Sequence, residues 1–344
     1  MGINAQDEED ENRTTTPEPS HLESNCGPVE IVQALLDHRA SASWQDNFGR
    51  TPLHLVSEGT YNFQQDRTRI AQLLLEHDAD VGVQDEDDAT PLHLASYYGR
   101  VEIARALLDR GAAVNSKGNQ GRTPLHSVIQ GRYLYSEDDG ILVAQLLLER
   151  GADVNAPDED NRTPLHLSSY YKRVEITQVL LDGDAATNSK DNQGRTPLHI
   201  VAEGYSSDND ALAQLLLERG ADVNVLDDDN ETPLHLASYF GTVKMVLALL
   251  NAGANANAKN AQGQTPLHLS SYHCRGDDVA VARLLLEHGA DVNVQDKNDT
   301  TPSDWALYQG RTEIASLLLH YGGKANAKIN QRPIPHVKVC AMSR

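Results

Sequence analysis

The stretch TPLHLASYYGR, from Thr90 to Arg100, begins with a tetrad that recurs along the chain. TPLH occurs seven times, and a variant, TPSD, begins at Thr301. Successive copies start 39, 33, 40, 33, 36, 33 and 36 residues apart. The seven TPLH copies begin at Thr51, Thr90, Thr123, Thr163, Thr196, Thr232 and Thr265. Recurrence at this spacing indicates stacked repeats, in which each unit is stabilised by its neighbours.

Each tetrad predicts the start of a short helix. Threonine is a favourable N-cap, proline is tolerated in the first turn, and leucine begins an apolar face. A second helix is predicted in VEIARALLDRGAAVN, Val101 to Asn115, where apolar residues recur with a period near 3.6 and Gly111 ends the helix. Polar segments such as SKDNQGR, Ser189 to Arg195, have the composition of turns.

The residue two positions before each threonine belongs to the types that best tolerate a left-handed backbone. Glycine and Asp or Asn alternate there from one repeat to the next. The eight residues are Gly49, Asp88, Gly121, Asn161, Gly194, Asn230, Gly263 and Asp299.

These features resemble the ankyrin repeat, which has a T-P-L-H signature in a unit of about 33 residues. The resemblance implies an all-α fold, a solenoid of antiparallel helix pairs with projecting turn or hairpin tips. PSHLESNCGPVEI, Pro19 to Ile31, aligns with PLHLASYYGRVEI and gives a degenerate first copy. The nine predicted repeats span residues 18–50, 51–89, 90–122, 123–162, 163–195, 196–231, 232–264, 265–300 and 301–332.

An acidic tail at 1–17, which we expect to be disordered, and a short basic tail at 333–344 flank the repeats. Terminal repeats need a polar outer face because no neighbour covers them. The first repeat has EPSH in place of TPLH, and the ninth has Ser303 and Asp304 in place of Leu and His. We therefore expect both to be polar caps.

Long and short repeats alternate, and the extra residues lie between the first and second helix of each long repeat. We expect these insertions to protrude from one edge of the solenoid. They fall in four segments, Glu58 to Arg69, Gln130 to Gly140, Glu203 to Asp210 and Tyr272 to Asp278.

Eleven of the twelve tyrosines lie at the end of a first helix or in the loop that follows it. The resemblance implies that the two positions before the inter-helix glycine, together with the tips, form the partner-binding surface. Tyrosine suits this role because it brings a large amphipathic contact area at modest entropic cost. The alternative, which stays open here, is that the rings only cover the core. The aromatic candidates are Tyr97, Tyr98, Tyr133, Tyr135, Tyr170, Tyr171, Tyr205, Tyr239, Phe240 and Tyr272.

Acidic residues dominate the composition, with 50 Asp and Glu against 29 Lys and Arg and a formal net charge of -21. This charge argues against nucleic acid or an anionic membrane as a partner. The tips that follow long repeats are acidic, except for Lys297 to Asp299, and predict a protein partner with a basic surface. The acidic candidates are Glu86, Asp87, Asp158, Glu159, Asp160, Asp227, Asp228 and Asp229.

Fourteen histidines invite a metal or catalytic interpretation, but seven of them occupy the TPLH position. Equivalent positions in stacked repeats lie about 10 Å apart, too far to share one metal ion. The resemblance implies a structural hydrogen bond instead. His273 and Cys274 are adjacent, but no third residue is positioned to orient them. No phosphate-binding loop or metalloprotease motif is present, so we expect no enzyme activity, no cofactor and no metal.

LLERGADVN, ending at Asn155 and Asn224, and LLEHGADVN, ending at Asn293, resemble ankyrin segments whose asparagine is hydroxylated in some organisms. The interpretation that we favour is a hydrogen bond of this asparagine within the turn.

Three widely spaced cysteines without a CxxC motif are typical of a reducing compartment. No apolar run approaches the roughly 18 residues that span a membrane, and no signal-peptide pattern is present. We therefore expect a monomeric cytoplasmic or nuclear scaffold that binds another protein. The alternative is an inhibitory regulator that masks the surface of an enzyme or a transcription factor.

Overall fold

The computed structural model describes residues 29–59, 64–131, 137–204, 206–272 and 277–325. Within these ranges the chain forms seventeen α-helices, a short 3-10 helix at Asn119–Gly121 and no β-strand. The first helices of the repeats are α2 (Pro52–Glu58), α4 (Pro91–Tyr97), α6 (Pro124–Gln130), α8 (Pro164–Tyr171), α10 (Pro197–Ala202), α12 (Pro233–Phe240), α14 (Pro266–Tyr272) and α16 (Pro302–Tyr308). The second helices are α1 (Val29–Asp37), α3 (Gln64–Glu76), α5 (Val101–Asp109), α7 (Glu137–Glu149), α9 (Val174–Asp182), α11 (Ser207–Glu218), α13 (Val243–Asn251), α15 (Asp278–Glu287) and α17 (Thr312–His320).

The chain divides into two compact units, which we call unit 1 and unit 2, between Ala186 and Thr187. Within each unit, every first helix packs against its own second helix and against the first helix of the next repeat. The second helices pack on one another in the same order. Each unit is therefore a two-layer stack of helix pairs, and the predicted all-α repeat fold is confirmed.

In six repeats, the TPLH histidine joins the first helix to the following repeat. At α12, the Thr232 backbone N–H donates to His235 Nδ1 at 3.1 Å, and Nε2 of the same ring lies 3.2 Å from the Gln264 carbonyl. The first bond uses Nδ1 as an acceptor, so Nε2 must carry the ring proton and donate it. Equivalent bonds to the next repeat are made by His54, His93, His126, His199 and His268.

These six histidines are held in the neutral form by their surroundings. Burial lowers the pKa of each imidazole, outweighing the carbonyl hydrogen bond that favours the charged form. For His126, His199, His235 and His268 the pKa falls to about 4. The structural role that the resemblance implied for this histidine is confirmed in these six repeats, and the bond reaches the neighbouring repeat.

The eight tip residues that the sequence predicts to have a left-handed backbone do have one in the structure. All eight residues have a positive φ, between 56° and 77°. At Gly194 a Cβ atom would lie 2.9 Å from the Asp228 backbone nitrogen, so the close approach of two neighbouring tips requires glycine there.

The asparagines at the end of GADVN link neighbouring repeats. Their side-chain oxygens accept hydrogen bonds of 2.8 to 2.9 Å from backbone N–H groups in the next repeat. The pairs are Asn155 with Ala186, Asn224 with Asn255, and Asn293 with Lys324. These asparagines make hydrogen bonds, but the prediction that the bond lies within the turn is wrong, because the partners lie in the following repeat.

The insertions of the long repeats do not form loops throughout. Helices α3 and α7 have 13 residues each and α11 has 12, against nine in α5, α9, α13 and α17. Part of each insertion therefore lengthens the second helix at its N-terminal end, contrary to the predicted loop. Residues 60–63, 132–136, 205 and 273–276 lie outside the described residues.

The polar cap predicted for the last repeat is wrong. Ser303 and Asp304 are buried, and Asp304 Oδ2 accepts the Thr301 N–H at 3.0 Å, as histidine does in the other repeats. Leu307 and Leu319 are exposed instead. The first helix of repeat one and both predicted tails lie outside the described residues.

Replacing His235 with alanine should lower the free energy of unfolding by about 3 kcal/mol, because it leaves the buried backbone N–H of Thr232 without its acceptor and removes the ring's bond to the Gln264 carbonyl, which keeps only the bond from the Asn260 N–H. Urea denaturation measures this loss. His288→Ala is the matched control: this ring is exposed and contacts the carbonyl of Leu284 in its own helix. The control should cost less than about 0.5 kcal/mol, and an equal loss for both variants would contradict the structural role of His235.

Candidate functional site

In unit 1, two pairs of tyrosines lie at the ends of first helices. The rings of Tyr97 and Tyr98 are 5.0 Å apart and nearly perpendicular, and those of Tyr170 and Tyr171 are 5.1 Å apart in the same arrangement. Consecutive helical residues point about 100° apart, so each pair meets edge to face, a favourable geometry for aromatic rings.

The second tyrosine of each pair also contacts the preceding repeat. The Tyr98 hydroxyl donates to Glu58 Oε1 at 3.5 Å, and Gln130 Nε2 donates to the Tyr171 hydroxyl at 3.3 Å. Burial and the neighbouring Glu58 charge raise the pKa of Tyr98. These rings therefore help to hold adjacent first helices together.

The two pairs differ in how much surface they leave open. Tyr97 and Tyr98 are half-buried, whereas Tyr170 and Tyr171 are 44% and 40% exposed. Tyr170 and Tyr171 thus combine a packing contact with an accessible aromatic surface. Tyr133, Tyr135 and Tyr205 lie outside the described residues.

In unit 2 the aromatic residues form a continuous row. Tyr239 meets Phe240 edge to face at 5.2 Å and stacks on Tyr272 at 6.5 Å, and Tyr272 contacts Trp305 at 5.2 Å. Trp305 is buried, and its Nε1 donates to Asp296 Oδ2 at 3.2 Å. Sequence reasoning missed Trp305, although it occupies the position of Leu94 in TPLHLASYYGR.

The acidic tip residues fall into two groups. Glu86, Asp87, Glu159, Asp160 and Asp228 are exposed, and Asp227 and Asp229 are half-buried. Asp160 forms an ion pair with Arg162. The exposed group remains a candidate for binding a partner.

The structure corrects the prediction for Asp158, which the sequence analysis counted among the acidic tip residues that bind a partner. Its carboxylate is buried and accepts backbone N–H bonds from Asp160 at 2.9 Å and Arg162 at 2.8 Å. It also pairs with the side chains of Arg122 and Arg162. Because its oxygens are occupied in closing the turn, Asp158 has a structural role.

Asp227 closes its tip in the same way, accepting from the backbones of Asp229 and Glu231. The signal that would have identified this role is the residue five positions before each tetrad threonine, which is Asp or Asn in seven of the eight tips. All seven accept the backbone N–H groups two and four residues ahead. They are Asp46, Asp85, Asp158, Asp191, Asp227, Asn260 and Asp296.

Glu231 stands where four other repeats carry arginine just before the tetrad. In the preceding repeat, Arg195 pairs with Asp191 at 3.5 Å and with Glu203 at 3.0 Å. Glu231 is buried, and its Oε1 accepts from Asn260 Nδ2 at 3.1 Å. Burial raises its pKa to about 7, and the charges of Asp227, Asp229 and Glu203 add to this shift.

Glu231→Gln should stabilise the protein above pH 7 by about 3 kcal/mol and have little effect near pH 4. The folded-state pKa of about 7 lies above the ordinary 4.5, so the folded state binds this proton more tightly than the unfolded state. The contribution of the Glu231 carboxyl group to folding stability is fully present below about pH 4.5 and is lost as the pH rises to about 7. Urea denaturation at several pH values measures the difference from the wild type.

Glu287→Gln, at an exposed glutamate of α15, is the control for that experiment and should leave the pH profile unchanged. A Glu231→Gln profile parallel to that of the wild type from pH 4 to 8 would contradict the burial effect.

The described residues contain no group of three or more His, Cys, Asp or Glu side chains that could hold a metal ion. Among the described helices, none is long and apolar enough to cross a membrane. His273 and Cys274 lie outside the described residues.

A two-layer stack of short helix pairs, with bridging histidines and projecting tips, defines a repeat protein of the helix-pair class. Family models described as ankyrin repeats match residues 61–137, 135–227, 205–296 and 276–319. The chain belongs to the ankyrin repeat family. Over 50 residues it is 40% identical to an ankyrin repeat protein of fowlpox virus (strain NVSL), a match that covers 14% of this chain and 8% of the viral protein.

Ankyrin repeats generally mediate protein–protein interaction and are generally non-catalytic. Proteins of this family therefore generally have protein partners.

Proposed function

We propose that this chain is a non-catalytic scaffold that binds a protein partner through its tips, its first helices and the aromatic residues at their ends. The observation that carries this proposal is the exposed pair Tyr170 and Tyr171 on α8. Packing alone would be served by buried rings, whereas these two keep about two fifths of their surface accessible. Tyrosine is among the residues that contribute most to binding energy at protein interfaces.

The partner is proposed to combine a basic with an apolar feature. Glu159 and Asp160 precede α8, and the tyrosine pair ends it. The eight residues of α8 separate acid from aromatic by about 12 Å, at 1.5 Å per residue. An extended segment of about four residues spans that distance, so a short stretch of the partner could contact both features.

The cellular setting of the proposal follows from composition. The sparse cysteines fit the cytoplasm or the nucleus. The exposed acidic tips should make association with a basic partner faster at low salt.

Changing Tyr170 and Tyr171 together to alanine should weaken partner binding about tenfold or more, since both residues are proposed to contribute to the interface. Affinity capture by the full-length chain, followed by titration of the captured partners, measures the effect. Leu247→Ala is the matched control, because it removes an exposed apolar side chain from a second helix. If the tyrosine variant folds and binds every partner as tightly as the control does, the aromatic pair only packs and the proposal is wrong.

A further inference from the structure

The last described helix pair has an unusually apolar outer face. Leu307, Tyr308, Leu319 and Tyr321 are 45%, 51%, 52% and 39% exposed. Each of the other helix pairs whose two helices are described exposes at most two large hydrophobic side chains. We call these four residues the terminal face.

Two residues of the terminal face, Leu307 and Leu319, continue the interface that joins one repeat to the next. Leu307 lies six residues after Thr301, and the residue at that position is fully buried in the seven preceding repeats. Leu319 corresponds to Leu286, which is also buried. The helices that carry the preceding equivalents, α14 and α15, pack against α16 and α17. Leu307 and Leu319 therefore occupy positions on which a following repeat would pack. Tyr308 and Tyr321 do not, because their equivalents, such as Tyr170 and His288, are exposed in repeats that have a following neighbour.

The chain beyond α17 already follows the path by which a further repeat begins. The Lys324 N–H donates to Asn293 Oδ1 at 2.9 Å, and the Thr301 hydroxyl donates to the Lys324 carbonyl at 3.1 Å. Two repeats earlier in the chain, the Asn255 N–H donates to Asn224 Oδ1 in the same way. Up to Ala325, the chain is directed along the stack.

The residues that follow continue the repeat pattern in sequence. Asn326, Ala327 and Lys328 repeat the letters of Asn257, Ala258 and Lys259, which begin the tip before α14. After these three residues the sequence continues as INQRPIPHVKVCAMSR. The whole segment 326–344 contains four Lys and Arg residues and no Asp or Glu. Its basic charge complements a chain whose net charge is -21.

We propose that residues 326–344 dock on the terminal face, so that this segment covers Leu307 and Leu319. The inference is independent of the proposed partner-binding function, since it concerns contacts within one chain.

Limited trypsin digestion of the full-length chain, followed by mass spectrometry, tests the proposal. Lys328 and Lys338 are the cleavage sites within the segment, and both should be cut slowly in the wild type because docked segments resist proteolysis. Leu307→Ser together with Leu319→Ser should accelerate both cleavages about tenfold. Leu247→Ser, an equivalent change on an exposed second-helix residue, should leave them unchanged.

Val339→Asp provides a second variant, located in the segment itself, for the case in which the double serine variant fails to fold. It should also accelerate cleavage about tenfold. Rapid cleavage at Lys328 and Lys338 in the wild type would overturn the proposal. A second result would also overturn the proposal: cleavage that is slow at high protein concentration but fast on dilution, together with a dimer detected by light scattering. In that case a second copy of the chain covers the terminal face.

Discussion

The fold depends on one interaction, the neutral imidazole that six of the TPLH histidines place between two repeats. Nδ1 accepts from the threonine that begins its own helix, and Nε2 reaches a backbone carbonyl just before the next tetrad. The side chain that caps one helix therefore also sets the position of the next tip. Because the ring is buried, protonation would leave Nδ1 without its acceptor function and place a charge in the core.

Fixing the scaffold in this way leaves the ends of the first helices free to vary. In unit 1 they carry separate tyrosine pairs, whereas in unit 2 they carry a row of rings that ends on the buried Trp305. The residue before the tetrad varies too, since Glu231 replaces the arginine found in four other repeats. A regular backbone thus presents surfaces of different chemistry, which is how one repeat type can serve a particular partner.

Features that depend on local chemistry could be predicted from the sequence. The helix starts, the left-handed positions such as Asn161 and the glycine stops each need only a few adjacent residues. Features that depend on contacts with neighbouring repeats could not be predicted from the sequence. Asp158 looks like a surface charge in sequence, and only the closed tip shows that its carboxylate is buried. Asp304 likewise looked like part of a polar cap until it was found to replace the histidine inside the turn.

The state of the histidine rings tests the central claim most directly. Correlation of ring nitrogens with their protons by NMR, on uniformly ¹⁵N-labelled full-length protein from pH 7 to pH 5, reports tautomer and charge for each imidazole. The account predicts that His126, His199, His235 and His268 remain neutral at pH 5, with the proton on Nε2, because burial lowers their pKa to about 4. Titration of these rings near the ordinary value of 6.5, or a proton on Nδ1 at pH 7, would contradict it.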